Sequence, residues 1–490
     1  MRLEEVKERG KFKFITNDGE SLHFFGQLFI FNGGKGEIFL SVDDVSILPY
    51  TLNDEGTFNL IGQFNTLNNC IFTGCFISSQ PRRGGGEIKI TFNNALLKLD
   101  DKVFNTQVKL LHNKLNIKPN GIQIYIDNLD LWAIDFDVFD IVDENNMISL
   151  TCNTRNDVVL YQDEFVIISI LFTYNYSIFP EVEGARISEH PYIEINKKEG
   201  AFNNVDELFD YLHKITSLIS ILLGEEAYIN SINAIFIEDG HRCYSPFIFE
   251  MNLVKTNQAL LGWHDINFSL NDVIRINKEV DVFSTWMTRF DEISPSIELY
   301  RTYKKVNNKY SEINFLWMAQ IIEALHRRIN DRKEYAVADY EKMCNKLREC
   351  CPKEYLTWLE PRLKYGNEIS FKSRLGEFMD DIKNTLNNQL YDDYSMKLDF
   401  SDKEFGKFVS DIVRYRNYYT HYDPSMKKTN IQRAKKLIAL RSLLELILLI
   451  QIFKFIGLTD KNLGIILFKW QNRMGKLLRK TKFLLKKYYK

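Results

Sequence analysis

Cysteine is scarce and poorly placed for a metal site or a disulfide framework. The seven cysteines stand at 70, 75, 152, 243, 344, 350 and 351. The set is odd and scattered, with no CxxC pair, and no two histidines stand at ligand spacing, so neither a structural zinc site nor a cofactor is expected. They read as reduced thiols of a cytoplasmic protein. Ten prolines and 24 glycines in 490 residues leave little room for long unstructured linkers. An excess of one charge is also missing: 63 Lys and Arg stand against 65 Asp and Glu, a net charge of −2. That excludes a chain coated in basic residues and leaves any polyanion contact to a local patch. The greasiest stretch, "LLELILLIQIFKFIGL" at 443–458, carries Glu445, Gln451 and Lys454. It falls short of the roughly 18 uninterrupted apolar residues of a membrane span, so it reads as a buried bundle helix and no transmembrane segment is expected. The opening "MRLEEVKERGKFKF" has acidic residues and no apolar core, unlike a secretory signal.

What is present falls into two halves with different periods. The first half alternates: "KFKFIT" (11–16), "HFFGQLFIF" (23–31), "EIFLSV" (37–42), "CIFTGCFIS" (70–78), "EIKITF" (87–92) and "GIQIYID" (121–127) are short and rich in β-branched and aromatic residues. Turn sequences such as "NDGE", "NGGKGE" and "RRGGGE" separate them, which predicts an antiparallel sandwich or barrel. "NGGKGE" lacks phosphate-loop spacing and "RRGGGE" opens no helix, so both read as hairpin loops. Further strands are expected at 147–152, 165–172 and 232–239, with one helix at 205–224 between them. From about residue 280 the period is helical, as in 312–329, where Phe315, Met318, Ile322 and Leu325 form a core-facing stripe. The expected fold is α+β: a β-rich antiparallel domain over 1–280, with a possible subdivision near 200, then an α-helical bundle over 281–460. Residues 461–490 carry ten Lys or Arg and no acid, and are expected to form one basic amphipathic helix. Such a helix suits a phosphate backbone, an acidic partner or an anionic membrane, or a last bundle helix with a solvated face.

The chemistry concentrates at 414–425, "RYRNYYTHYDPS". Pro424 ends the predicted helix soon after His421, placing the histidine where the helix dipole favours positive charge. Asn417 and His421 are four residues apart and share a face with Arg414, whereas Arg416 leaves the helix about 140° away. Arg416 can therefore approach His421 along its own length, or the histidine of a second copy. No carboxylate lies between Arg414 and His421, and Lys427 and Lys428 follow. This set suits RNA cleavage without a metal. A histidine can take the 2′-OH proton or give one to the leaving 5′-oxygen, and an arginine can grip the phosphate bidentately. Asn417 could bind a phosphate oxygen or orient the imidazole, and Tyr418, Tyr419 and Tyr422 could stack on unpaired bases. A helix-capping histidine among core tyrosines would show the same pattern.

The run "IVRYRNYYTHYDP" resembles the R-x4–6-H motif of the HEPN superfamily, in which a polar residue follows the arginine. Asn417 in that place favours Arg416 over Arg414 as the matching arginine. "FLWMAQIIEALHRR", with Glu323, His326 and Arg327, is similar to the first bundle helix of the ApeA-like HEPN group, and "SRLGEFMDD" to its Arg-Leu helix. "GESLHFFGQLFIF…TFNLIGQFNTLNNCIFTGCFISS" is similar to the β-rich domain that precedes the HEPN module in ApeA proteins. The resemblance implies a bacterial anti-phage, abortive-infection ribonuclease that works as a homodimer or larger homo-oligomer. It implies cleavage of RNA, in this group tRNA at the anticodon loop, to leave 2′,3′-cyclic phosphate, with Arg416, His421 and Asn417 catalytic and Glu323 supporting. Tyr422 directly follows His421, a departure from the H-x-Y pattern of the HEPN toxins regulated by modification. The β-rich half would sense a phage-derived trigger or restrain the nuclease. Two other readings remain open: a HEPN module that binds nucleotide or partner without catalysis, and a β-sandwich binding protein with a helical assembly domain.

Overall fold

The structure, a computed structural model, describes residues 5–14, 22–43, 57–79, 86–112, 116–135, 137–144, 147–176, 186–249, 261–262, 264–278, 280–306, 311–387, 398, 400–422, 431–468 and 472–489. The chain forms two compact units. One comprises Met1–Ile219, Ala227–Trp263 and Ser269–Asn271, the other Ser220–Glu226, His264–Phe268 and Asp272–Lys490.

In the first unit, alternation of apolar and polar residues builds a barrel. Strands β1 (Val6–Phe14), β2 (His23–Ile30), β3 (Gly36–Val42), β4 (Phe58–Phe64), β5 (Asn68–Ser79) and β6 (Gly86–Phe92) pair antiparallel in the order β5–β4–β1–β2–β3–β6, and β6 returns to β5. Phe12, Leu28, Ile38, Leu40, Leu60, Phe72, Ile88 and Ile90 fill the interior and are fully buried. Each such side chain contributes about 1.5–3 kcal/mol of transfer free energy. Edge-to-face packing of Phe12 on Phe64, 5.4 Å between centroids, adds direction to that core. The tight curvature needs glycine at one crossing: a Cβ on Gly26 would stand 2.3 Å from the carbonyl oxygen of Phe39. Cys70 and Cys75 are free thiols in this core, and burial pushes Cys70 up to about 12 and Cys75 higher still.

β5 is long enough to pair β6 with its second half and β7 (Asn94–Leu99) with its first. After α1 (Asp101–His112) come β8 (Gly121–Ile126), α2 (Leu129–Trp132) and the exposed hairpin of β9 (Phe139–Glu144) and β10 (Met147–Cys152). Then follow β11 (Val158–Gln162), β12 (Val166–Tyr176), β13 (Ile187–Lys197), α3 (Val205–Leu223), β14 (Ile229–Glu238) and β15 (His241–Phe249). They extend the sheet beyond β7 in the order β15–β14–β8–β13–β12–β11. On α3, Phe209 packs on Phe249 with centroids 4.6 Å apart. The fold class is therefore as the two periods predict, and between sandwich and barrel the near half is a barrel. "NGGKGE" is the β2–β3 hairpin loop, whereas "NDGE" and most of "RRGGGE" lie outside the described residues.

The second unit is helical: α4 (Leu270–Ile276, whose first two residues fall in the other unit), α5 (Val282–Lys305), α6 (Ser311–Ile329), α7 (Val337–Cys350), α8 (Lys353–Tyr365), α9 (Phe371–Asn387), α10 (Asp402–His421), α11 (Ile431–Phe455), α12 (Asp460–Phe468) and α13 (Arg473–Tyr489). α11 is the greasy stretch. It is buried nearly all round, with Leu443, Leu444, Leu446, Ile447, Leu448 and Ile450 inaccessible, as a helix at the centre of a bundle must be. Three polar residues of its central and last turns are paired. Glu445 accepts from Lys304 at 3.5 Å, Gln451 donates to Asp381 at 2.7 Å, and Lys454 reaches Asp381 at 2.7 Å and Asp460 at 3.0 Å. Burial alone would raise Glu445, but Lys304, Arg473 and Arg441 outweigh it and hold the carboxyl below its ordinary value. Among the described residues no helix is long and apolar enough to cross a membrane. The basic tail corrects the expectation of a single helix. It forms two, and α13 packs on α11 with Met474, Leu478, Thr481 and Leu485 buried. Ser442 and Thr481 share a buried hydrogen bond of 2.7 Å across that contact.

Candidate active site

Helix α10 is started and stopped by its own sequence. Ser401 accepts from the Glu404 amide while the Glu404 carboxylate accepts from the Ser401 amide, a reciprocal capping box. Phe405, Phe408, Val409, Ile412, Tyr415 and Tyr419 bury one face against the bundle. The helix stops where Tyr422 turns left-handed (φ 49°) and its amide donates to the Tyr418 carbonyl. His421 is therefore the last helical residue, exposed at the C-terminal end.

Arg416, five residues before it, is half-buried. Its guanidinium donates to Glu323 on α6 at 2.8 Å and to the side-chain oxygen of Asn417 at 3.2 Å, and it lies 5.5 Å from the Phe371 ring. Glu323 is shared, because Arg327, one turn along α6, also donates to it at 3.3 Å and pairs in addition with Glu368. Arg327 beside Glu368 holds that carboxyl below the usual range. Next to this chain stands a second, more buried one. The fully buried His326 accepts at Nδ1 from Arg374 at 3.2 Å and donates from Nε2 to Glu377 at 2.8 Å. Glu377 also accepts from Asn330 at 3.0 Å and from Arg332 at 2.6 Å. Burial, and the cations Arg374 and Arg332, push the His326 imidazole below its ordinary value despite Glu377. Neutral, with its tautomer fixed by Arg374, His326 ties α6 to α9.

The structure thus joins Arg416, Asn417 and Glu323 by direct contacts and leaves His421 at the open helix end. Arg414 goes elsewhere. It pairs with Asp411 at 2.7 Å on its own helix and is more than half exposed. The cationic cluster expected from the absence of intervening carboxylates is accordingly corrected: Glu323 and Asp411 come in from other positions to pair with both arginines. Tyr419 is 6% exposed and spends its ring in packing. Tyr418 is half-buried, with the Arg433 guanidinium 5.5 Å from its ring, while Tyr422 is 71% exposed with its ring 6.0 Å from that of Tyr418. Lys427 and Lys428 lie outside the described residues. Reading the motif alone misses Glu368, Glu377 and Arg433, which lie 48, 39 and 17 positions from Arg416 in sequence. Arg433, as the first arginine of the following helix, was the one with a local cue.

Arranged this way, the helix carries a guanidinium whose direction is fixed by a carboxylate and which can hold an anion, and an exposed histidine ends the helix five residues on. Residues 316–462 match the family model described as Apea-like HEPN, and residues 7–286 match the one described as ApeA N-terminal domain 1. No curated protein and no solved structure matches the chain.

Proposed function

Because the chain belongs to the ApeA family of HEPN proteins, we propose that it is a metal-independent endoribonuclease of anti-phage abortive infection. Its substrate in this reading is a tRNA anticodon loop, an exposed single-stranded target whose bases side chains can reach. The ribose 2′-oxygen attacks the adjacent phosphorus, the bond to the 5′-oxygen breaks, and the products are a 2′,3′-cyclic phosphate and a 5′-hydroxyl. His421 takes the 2′-OH proton or delivers one to the leaving oxygen. Arg416 donates to the phosphate oxygens, where negative charge grows in the transition state. Asn417 positions Arg416 or a phosphate oxygen, and Tyr422 offers a base its ring.

The observation that carries the reading is the Glu323–Arg416 bond of 2.8 Å, five residues before an exposed helix-terminal histidine. A guanidinium braced from a second helix is pre-aimed, which is how an enzyme avoids reorganising at the moment of reaction. The test is to express wild type and His421→Ala in bacteria under phage challenge and sequence RNA ends that bear cyclic phosphate. New ends confined to the wild type, concentrated in anticodon loops, are the expected result; matching profiles would overturn it. Purified protein should cut equally well in EDTA, and a strict magnesium requirement would sink the 2′-OH route.

A further inference from the structure

The outer face of the barrel carries an unusual pattern. The outward positions of β1 are Lys7, Arg9, Lys11 and Lys13, cations at every second residue, recurring about every 6.6 Å along the strand. Lysines often guard sheet edges, but β1 lies between β4 and β2 inside a closed barrel and has no edge to guard. Beside these cations stand two outward-facing rings, Phe25 exposed and Phe39 half-buried. Lys11 faces Phe25, which is 69% exposed, and Arg9 faces Gln27, which in turn faces Phe39. The two rings are thus diagonal neighbours on β2 and β3, each with a lysine nearby: Lys11 is 5.8 Å from the Phe25 ring and Lys89 is 5.7 Å from the Phe39 ring. Gln27, Gln63 and Ser41 fill the places between, and the surface dips into a cavity of about 650 Å³.

The charge on this face is lopsided. Glu37 is matched by Lys89 at 2.9 Å and by Lys35 at 3.9 Å, and Glu87 lies at the β6 rim. Among the described residues neither Arg9 nor Lys11 has an ion-pair partner. A row of unmatched cations running beside one exposed and one half-buried aromatic ring complements one ligand chemistry above others: a polyanion with flat faces to stack. A globular acidic protein would meet the cations but has no need of diagonal rings, and a duplex would meet the cations with its bases hidden.

We propose that this barrel face binds an unpaired RNA strand, its phosphates along β1 and its bases on Phe25 and Phe39. The neutral groups of Gln27, Gln63 and Ser41 meet the 2′-hydroxyls and base edges, which is what selects RNA over DNA. The barrel face belongs to the first unit and α10 to the second, and the inference does not depend on cleavage at α10.

The test uses the full chain carrying His421→Ala, so that any cutting at α10 does not register as lost binding. Fluorescence anisotropy of a labelled 12-nucleotide oligouridylate is compared with Arg9→Gln/Lys11→Gln, Phe25→Ala and Phe25→Leu, all at exposed positions, with melting curves confirming the fold. The double variant should weaken binding at least about ten-fold and flatten the slope of log K against log salt by about 1.4, about 0.7 for each lost phosphate contact. Both Phe25 variants should weaken binding at least about five-fold with the salt slope unchanged, as loss of one stacked base does. 4-Thiouridine in the strand should cross-link to peptides of β2 or β3. Affinity unaltered in these variants, cross-links confined to the helical unit, or equal affinity for duplex RNA would overturn the proposal. Equal affinity for the 2′-deoxy oligouridylate would overturn the choice of RNA.

Discussion

At the scale of single residues, the site turns on what each arginine touches. Arg416 is aimed by Glu323, whereas Arg414 is neutralised by Asp411 and points along its own helix. In cleavage assays His421→Ala should therefore cost at least about 100-fold, the low end of what a positioned acid or base supplies. Arg416→Ala should cost about 100- to 1,000-fold, as removal of a transition-state donor does. Arg414→Ala should stay within a few-fold, and if it were the more damaging change the arginine of the motif would be misassigned. Glu323→Gln keeps the shape but weakens a charge-assisted bond, so an intermediate loss in kcat with little change in KM is expected. Asn417 and His421 share a helix face by spacing alone, whereas Arg416 could be picked out only through the resemblance to the R-x4–6-H motif, because spacing by itself favours Arg414. The pairing of Arg416 with a carboxylate 93 positions away was not legible, since nothing in the local sequence of α10 says which helix will lie beside it. Tyr419 shows the same limit: at helical spacing a buried tyrosine and a base-stacking one look alike.

At the scale of elements, the periods sorted strands from helices, and the exceptions have local causes. β13 contains Pro191, which argues against a strand, yet its position faces Phe172 of β12 within an otherwise regular ladder. β7 carries Lys98 at φ 54°, a break that blurs its alternation. The union of α6 and α9 through His326 rests on residues 48 and 51 apart, and it yields a pH prediction. The folded imidazole titrates below its ordinary value of 6.5. The unfolded chain then binds the extra proton, so His326 contributes stability that is fully present above about pH 6.5 and is lost as pH falls toward the folded value. Each unit of depression is worth about 1.4 kcal/mol. Melting between pH 7.5 and 5.5 should show wild type losing stability with acid and His326→Gln losing less. Equal slopes would mean the histidine is not held neutral. The carboxylates of the same network, such as Glu368, lose their contribution only at lower pH, which keeps the two effects apart.

At the scale of the whole molecule, the proposed reaction requires Arg416 and His421 to serve one phosphate. They leave α10 about 140° apart, and Arg416 is turned toward α6 while His421 stands at the open end of the helix. A single copy brings them together only along the helix; two copies related by a two-fold axis can set the arginine of one opposite the histidine of the other. Co-expressing Arg416→Ala with His421→Ala separates these cases. In a mixed dimer the site built from the His421→Ala subunit's arginine and the Arg416→Ala subunit's histidine is intact, while its mate lacks both groups. With random pairing, half the dimers are mixed and half of their sites work, so about a quarter of wild-type activity should return from two variants that are each inactive. The measurement is release of cyclic-phosphate ends by the purified mixture and, after selection by different tags on the two subunits, by the mixed dimers alone, for which the expected value rises to about half. No recovery in verified mixed dimers would place arginine and histidine on one copy, leaving the second copy to the binding of RNA rather than to the chemistry.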